Sequence, residues 1–336
     1  MRVSIVINNY NYGEFVERAI ESALDQQYPN VEVIVVDDGS SDNSVEKAHA
    51  FGSRIQLITK SNGGQGSAYN AGFASVTGEI VIFLDADDWL HPNAASEVVA
   101  AWHSGVTKAQ FRLAMVNRGG EPNGRFVPRT MNDSDAMELV RRFGAYGSPP
   151  ASGNAFGTEF LRKIMPLEES PWRTAADTVP IVLAPMHGEI VSIPKTLGSY
   201  RLHRRADSGD LLLGNAPDNL WQEYWRIAST KQFVRREMQR LSLNTPAALA
   251  FAPWESRLVA MCLRFGGPAS GPEPISRTHL ALQTIGSTLR WPVWNWGKKL
   301  VLCAWLALIY LLPNRAARRL ALRHRSSIGM KEKVYV

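Results

Sequence analysis

Three mainly apolar runs, at residues 3–7, 31–36 and 80–84, each stop at a polar cluster. The clusters are Asn8-Asn9-Tyr10-Asn11, Asp37-Asp38-Gly39-Ser40-Ser41-Asp42 and Asp85-Ala86-Asp87-Asp88. A strand that is apolar at nearly every position is buried on both faces, as in a parallel sheet covered by helices. Between the first two runs, Phe15, Ala19, Ile20, Ala23 and Leu24 recur at helical spacing, opposite Glu14, Glu17, Arg18 and Glu21. Tyr28-Pro29-Asn30 ends that helix. Residues 55–58 read as a further strand, and Asn62-Gly63-Gly64-Gln65-Gly66 opens a small-residue helix through Ala74. Ala94, Ala95, Val98, Val99 and Trp102 form another helical stripe. The resulting strand–helix alternation predicts an α/β fold with a mostly parallel sheet. Ligands of such sheets bind at the carboxyl ends of the strands, where the three polar clusters fall.

Two carboxylates two residues apart at a strand end, Asp85 and Asp87, suit one hard cation taking oxygen ligands, Mg²⁺ or Mn²⁺. The bland alternative is that such aspartates cap a helix. The same choice stands at Asp37-Asp38-Gly39-Ser40, where a carboxylate either caps a turn or accepts hydrogen bonds from a base or ribose. Asn62–Gly66 lacks both the Lys-Ser/Thr end of a phosphate-binding P-loop and the spacing of a dinucleotide fingerprint.

Composition excludes several classes. With 45% hydrophobic and 20% charged residues, the 336-residue chain is not globally disordered. Two cysteines, Cys262 and Cys303, are too few for a disulfide scaffold or a four-cysteine zinc site. The apolar start is too short for a signal-peptide core, so cytoplasmic synthesis without export is expected. Residues 295–336 hold nine Lys/Arg against one acidic residue, a local +8 that leaves −2 for the rest of a chain whose total is +6. The basicity is a property of the tail, so no general nucleic-acid surface is implied.

Beyond residue 104 the pattern predicts strands near 109–116 and 125–127, and helices near 135–143 and 158–164. A helix starting at Asp177 is expected to be interrupted at Pro185. The Gly-, Asp-, Asn- and Pro-rich segment 206–219 is the expected domain boundary. Helices are expected near 220–242, 246–265 and 278–290, with a loop at 266–276. Three regions follow: a catalytic domain at 1–205, a helical extension at 206–290 and a basic, Trp-rich tail at 291–336.

Taken together, residues 3–11, 32–44, 62–72 and 78–89 resemble a family 2 glycosyltransferase of the GT-A fold, strongly over about the first 100 residues and more loosely to about 205. The resemblance implies metal-dependent, inverting transfer of a sugar from a nucleotide-diphosphate sugar, a UDP-sugar first among them, to a carbohydrate or lipid-linked hydroxyl acceptor. It implies that Tyr10 flanks the base with Asn8 and Asn9 nearby, and that Asp38 bonds the base. Gly64 and Gln65 fall on the donor loop. Asp85 would sit near the ribose, and Asp87 would hold Mg²⁺ or Mn²⁺ on the diphosphate, with Asp88 as a substitute ligand. Asn8-Asn9 stands where the family commonly has Pro-Thr or Pro-Ser. The family's Tyr-Arg-x-His signature is intact as Tyr200-Arg201-Leu202-His203, implying contacts of Arg201 and His203 with diphosphate or metal. Its Glu-Asp pair, which supplies the general base, reads here as Ala176-Asp177, leaving Asp177 for that role.

Two rival readings remain at this point. A haloacid-dehalogenase-like phosphatase also carries Asp-x-Asp after a strand, but normally after the first strand and without Asp88-Trp89. A non-catalytic nucleotide-binding GT-A scaffold is the other. In the tail, residues 300–312 are thirteen uncharged positions between Lys298-Lys299 and Arg315, Arg318 and Arg319. A helix of that length spans about 20 Å against a hydrocarbon core of about 30 Å, so it is expected at a membrane surface rather than across it. Trp291, Trp294, Trp296 and Trp305 suit that setting. Peripheral contact through 291–325 with the inner face of the cell membrane is therefore expected, or else packing on the protein.

Overall fold

The computed structural model describes residues 1–203, 220–267 and 276–321. The chain divides into two compact units, one of residues 1–136 and 147–204 and the other of 137–146 and 205–335. The boundary expected at 206–219, most of the loop expected at 266–276 and the tail beyond 321 lie outside the described residues.

In chain order the first unit holds β1 (Val3–Asn9), α1 (Val16–Leu24), β2 (Val31–Asp37), α2 (Ser44–His49), β3 (Gln56–Thr59), α3 (Gln65–Phe73), β4 (Ile80–Asp85), β5 (Trp89–Leu90) and α4 (Ala94–Ala100). There follow β6 (Val106–Val116) and β7 (Pro122–Val127). Next comes α5 (Ala136–Phe143), which belongs to the second unit but for its first residue. The first unit then closes with β8 (Asn154–Gly157), α6 (Thr158–Ile164), α7 (Thr178–His187) and β9 (Glu189–Arg201). All nine strands form one sheet in the order β3-β2-β1-β4-β8-β6-β9-β5, with β7 on β6.

The first four strands are parallel, and their register places the site. Ile5 lies beside Val33 and Ile82, so Asn8 falls opposite Asp85 and Asn9 opposite Asp37. One face packs Ile5, Ile7, Val33, Val35, Ile82 and Leu84 with Ala19, Ile20 and Ala23 of α1. On the other face α3 lies close, which explains its small residues. A Cβ added at Gly72 would sit 2.4 Å from Val6 Cγ1.

Three strands were not in the sequence expectation, and the first is the two-residue β5, which pairs antiparallel with β9. Short β8 inserts antiparallel between β4 and β6, and β9 runs parallel to β6. The helix expected to break at Pro185 runs on to His187. A proline removes only the bond to the carbonyl four residues earlier, and the helix ends two residues later anyway.

The second unit is helical, with α8 (Leu220–Arg240), α9 (Pro253–Phe265), α10 (Arg277–Arg290) and α11 (Trp296–Leu311) after most of α5. The helix expected from 246 begins only at Pro253, where Glu255 Oε2 accepts the Ala252 N–H at 2.7 Å. Lys231 and Glu255 form a buried ion pair at 2.7 Å. Leu302, Trp305, Leu306 and Ile309 of α11 pack with Ala260 and Met261 of α9. Of the four tryptophans expected at a membrane surface, Trp291 and Trp305 are core residues, Trp294 is half-buried and Trp296 is exposed. Spacing alone could not separate the two faces of a helix that is apolar all round.

Candidate active site

The ends of β1 and β2 are tied together by their side chains. Asn9 Nδ2 donates to Asp37 Oδ2 at 2.7 Å, and Asp37 Oδ1 accepts the Ser40 N–H at 2.8 Å. Asp37 is thus the turn cap of this cluster. Asp38 is buried and holds the glycine loop. Its Oδ1 accepts from Lys60 Nζ at 2.8 Å and from the Gly63 N–H at 2.9 Å, and its Oδ2 from the Gly64 N–H at 2.7 Å. Gly39 has φ +78°, and a Cβ there would come within 2.8 Å of the Asn62 nitrogen. Tyr10 is exposed beside this cluster. The Oδ1 atoms of Asn8 and Asn9 are buried without a hydrogen-bond partner among the described residues.

Asp85, Asp87 and Asp88 gather at the end of β4, each offering a ligand atom within 4.8 Å of the others. Asn8 Nδ2 donates to Asp85 Oδ1 at 3.0 Å. Burial, then the charges of Asp87 and Asp177, push the Asp85 carboxyl up to about 7. Asp88 is raised as well, by burial first and then by Asp87 and Asp85. Its oxygens accept from Ser152 Oγ at 2.6 Å and from the Arg201 N–H at 2.9 Å. His203 Nε2 lies 2.6 Å from Asp87 Oδ2. Arg201 is buried, its Nε donating to the Asp87 carbonyl at 2.9 Å and its Nη1 to the Arg118 carbonyl. Its guanidinium carbon sits 4.3 Å over the Phe15 ring. Arg201 therefore braces the acidic loop through backbone groups. Three clustered carboxylates, two of which (Asp85 and Asp88) have their charged forms disfavoured by burial and by their neighbours' charge, with an imidazole beside them, fit a hard divalent cation.

A second segment, more than 80 residues further along the chain, is held against the glycine loop. The N–H groups of Gln65 and Gly66 donate to the carbonyls of Arg173 and Trp172, each at 2.9 Å. Gln65 Oε1 accepts the Ala176 N–H at 2.9 Å, while its Nε2 lies 3.5 Å from Asp85 Oδ1. Gly64, at φ +89°, has no room for a side chain, since a Cβ would meet Arg173 Cα at 2.6 Å. Ala175 adopts φ +56°, and Asp177 is the N-cap residue just before α7. Asp177 stands at the N-cap position that the bland reading expects, but its carboxylate makes no side-chain cap hydrogen bond. Its charge instead helps to raise Asp85 and the buried Tyr69. The position of the expected Glu is a fully buried Ala176.

Two residues here were not singled out by the sequence reading. Tyr69 stacks on Phe83 with ring centroids 4.0 Å apart, and burial, then the charges of Asp85 and Asp177, push its phenol up. Lys108 of β6 is wholly buried, its Nζ donating to Ser148 Oγ at 2.7 Å and Gln110 Oε1 at 3.1 Å, and burial pushes its pKa well down. The one signal was a lysine at an inward position of an otherwise buried strand.

Residues 4–143 match the family described as Glycosyl transferase family 2. The "Uncharacterized glycosyltransferase alr2836" of Nostoc sp. is 34% identical over 210 residues, covering 60% of this chain and 65% of that protein. The "Uncharacterized glycosyltransferase RT0329" of Rickettsia typhi is 45% identical over 91 residues, 27% of this chain and 29% of that protein. The chain thus spans less than two thirds of the length of either relative. Among solved structures, S. aureus TarS 1–349 in complex with UDP superposes with a TM-score of 0.53 at 17% identity, covering 100% of this chain and 93% of that one. The same protein in complex with UDP-GlcNAc gives 0.54 at 17% identity, over 97% and 92%. These likenesses establish the fold.

Proposed function

We propose that the protein, whose residues 4–143 match glycosyl transferase family 2 on a GT-A fold, transfers a sugar from a nucleoside-diphosphate sugar to a hydroxyl acceptor, with inversion at the sugar carbon. One observation carries this reading. The acidic cluster at the end of β4 and the segment ending in Asp177 meet through Gln65.

In this reading Tyr10, Asn8, Asn9 and Asp38 flank the base, with Gly64 and Gln65 on the donor loop, Asp85 near the ribose and Arg201 bracing the loop beneath the diphosphate. Asp85, Asp87 and His203 would hold Mg²⁺ or Mn²⁺, with Asp88 alongside. Bound there, the cation neutralises charge developing on the leaving diphosphate. Asp177 removes the proton from the acceptor hydroxyl as its oxygen attacks the sugar carbon. The bond from that carbon to the diphosphate oxygen breaks, and the nucleoside diphosphate leaves with the electron pair. A UDP-sugar is the first donor to test, since the fold neighbour TarS carries UDP and UDP-GlcNAc.

The acceptor in this reading is a carbohydrate or lipid-linked sugar of polysaccharide or glycolipid synthesis. The catalytic region is 1–205 apart from residues 137–146, which group with the helical unit that follows it, and the protein works in the cytoplasm against the inner face of the membrane. No helix among the described residues is long and apolar enough to cross a membrane. A phosphatase is disfavoured because β4 is the fourth strand and the family match lies elsewhere. Incubation with Mn²⁺ and a panel of nucleotide sugars tests the proposal. Release of nucleoside diphosphate or transfer of sugar supports it, whereas nucleotide binding without turnover of any donor points to the scaffold reading.

A further inference from the structure

We propose that one face of α11 is a docking surface for an anionic lipid bilayer, on which the helix lies in the membrane plane. The inference deepens the peripheral-contact part of the function proposed above and is independent of sugar transfer.

The two faces of α11 have different tasks. Leu302, Trp305, Leu306 and Ile309 are buried in the helical unit. At about 100° per residue, Leu300, Val301, Ala304, Leu308 and Leu311 line the opposite side, and all five are exposed. The four larger ones are between 43% and 82% exposed. No polar or charged side chain interrupts this strip. A bare apolar helix face of about three turns is unfavourable in water and calls for a partner.

Charge identifies that partner. Lys298 stands exposed at the amino end of the strip, and Arg315, Arg318 and Arg319 are exposed beyond its carboxyl end. From residue 277 to 321 the chain has seven Lys/Arg and no Asp or Glu. Trp296, 66% exposed at the first turn, supplies an amphipathic ring of the kind that settles at the headgroup level. An apolar strip with cations at both ends and no anion matches acyl chains beneath negative headgroups. A second copy of this face would instead bring like charges together. The sixteen residues of α11 reach about 24 Å as a helix, short of the ~30 Å hydrocarbon core, so the helix lies along the surface.

The test uses the full chain, sedimented with vesicles of phosphatidylcholine alone or with 30% phosphatidylglycerol (roughly the anionic range of a cell membrane), alongside the double variant Leu300→Glu/Leu308→Glu. Both positions face solvent, so the variant should melt as the wild type does, and UDP binding by calorimetry checks the catalytic unit separately. The wild type is expected to bind anionic vesicles, to bind neutral ones about tenfold or more weakly, and to be partly released by salt. The variant should lose about tenfold or more in affinity. Equal vesicle binding by the variant would place the contact on another surface and overturn the proposal. So would a wild type that ignores vesicles, whether it elutes as a monomer or as a dimer that the variant splits.

Discussion

Asp87 Oδ2 and His203 Nε2 lie 2.6 Å apart although 116 residues separate them in the chain. The contact joins the acidic loop after β4 to the end of β9. It places an imidazole beside the carboxylate proposed as the principal cation ligand. Asp87→Ala should therefore bring turnover to background and abolish any response to Mn²⁺. Stability should change by less than about 1 kcal/mol, because removing one charge relieves Asp85 and Asp88. Turnover assays across a Mn²⁺ series, with thermal melting of the same samples, check this. Full activity with a persisting metal requirement would remove Asp87 from the site.

Asp38 has two tasks to separate. Asp38→Ala leaves the N–H groups of Gly63 and Gly64 and the Lys60 ammonium without their acceptor. A loss of about 1–3 kcal/mol in folding stability is expected, read by denaturant unfolding. If the carboxylate also bonds the base, UDP affinity should fall roughly ten- to a hundredfold at temperatures where the variant is folded. Destabilisation with unaltered affinity for both UDP and GDP would make Asp38 a support of the loop alone.

Asp177→Asn keeps the shape of the side chain but takes no proton near neutral pH. Transfer should slow by about 10²–10⁴ while donor affinity stays within about twofold. Gln65→Ala, which frees the Ala176 N–H, should lower kcat in the same direction by about tenfold. Single-turnover rates with matched donor titrations distinguish the two steps. Near-normal transfer by the Asn variant would move the base elsewhere, with Glu168 and Glu169 next to be tried.

The raised Asp85 carboxyl has a definite sign. It ionises near 7 in the folded, ligand-free protein and near 3.9 in an unfolded chain. As pH rises from about 4 to 7 the unfolded state gives up this proton first, so the folded state loses stability over that window. Asp85→Asn should melt above the wild type at pH 8, with the gap narrowing toward pH 4. Proton and cation compete for the same carboxylate, so the thermal shift given by Mn²⁺ should weaken as pH is lowered from 8 to 6. A cation response independent of pH, or a variant that melts lower at pH 8, would contradict this account.

Much of the sheet was legible because β1, β2 and β4 are buried on both faces and carry the continuous apolar pattern that such burial imposes. The strand ends were legible for the complementary reason, since polar residues there break the pattern abruptly. The four residues of β8 were not, because Asn154-Ala155-Phe156-Gly157 is too short for any period and takes its conformation from pairing with β4 and β6. At the site, acidic residues announced themselves by spacing. The support of Asp38 by a glycine loop, the buried Lys108 and the bridging role of Gln65 did not, because each depends on segments distant in sequence.

The backbone pairing of Gln65 and Gly66 with Arg173 and Trp172 has a consequence for recombining this protein with its relatives. Residues 104–176 lie between α4 and Asp177, and an exchange of that block is one way to seek a new acceptor. Its far end, however, rests flush against a loop in which Gly64 and Gly66 have no room for a Cβ. A grafted block can therefore hold Asp177, the proposed base just beyond its end, in register only if the recipient also keeps those glycines. The boundary of a transplantable acceptor module accordingly runs through space, across residues 62–66, and not at any single cut in the chain.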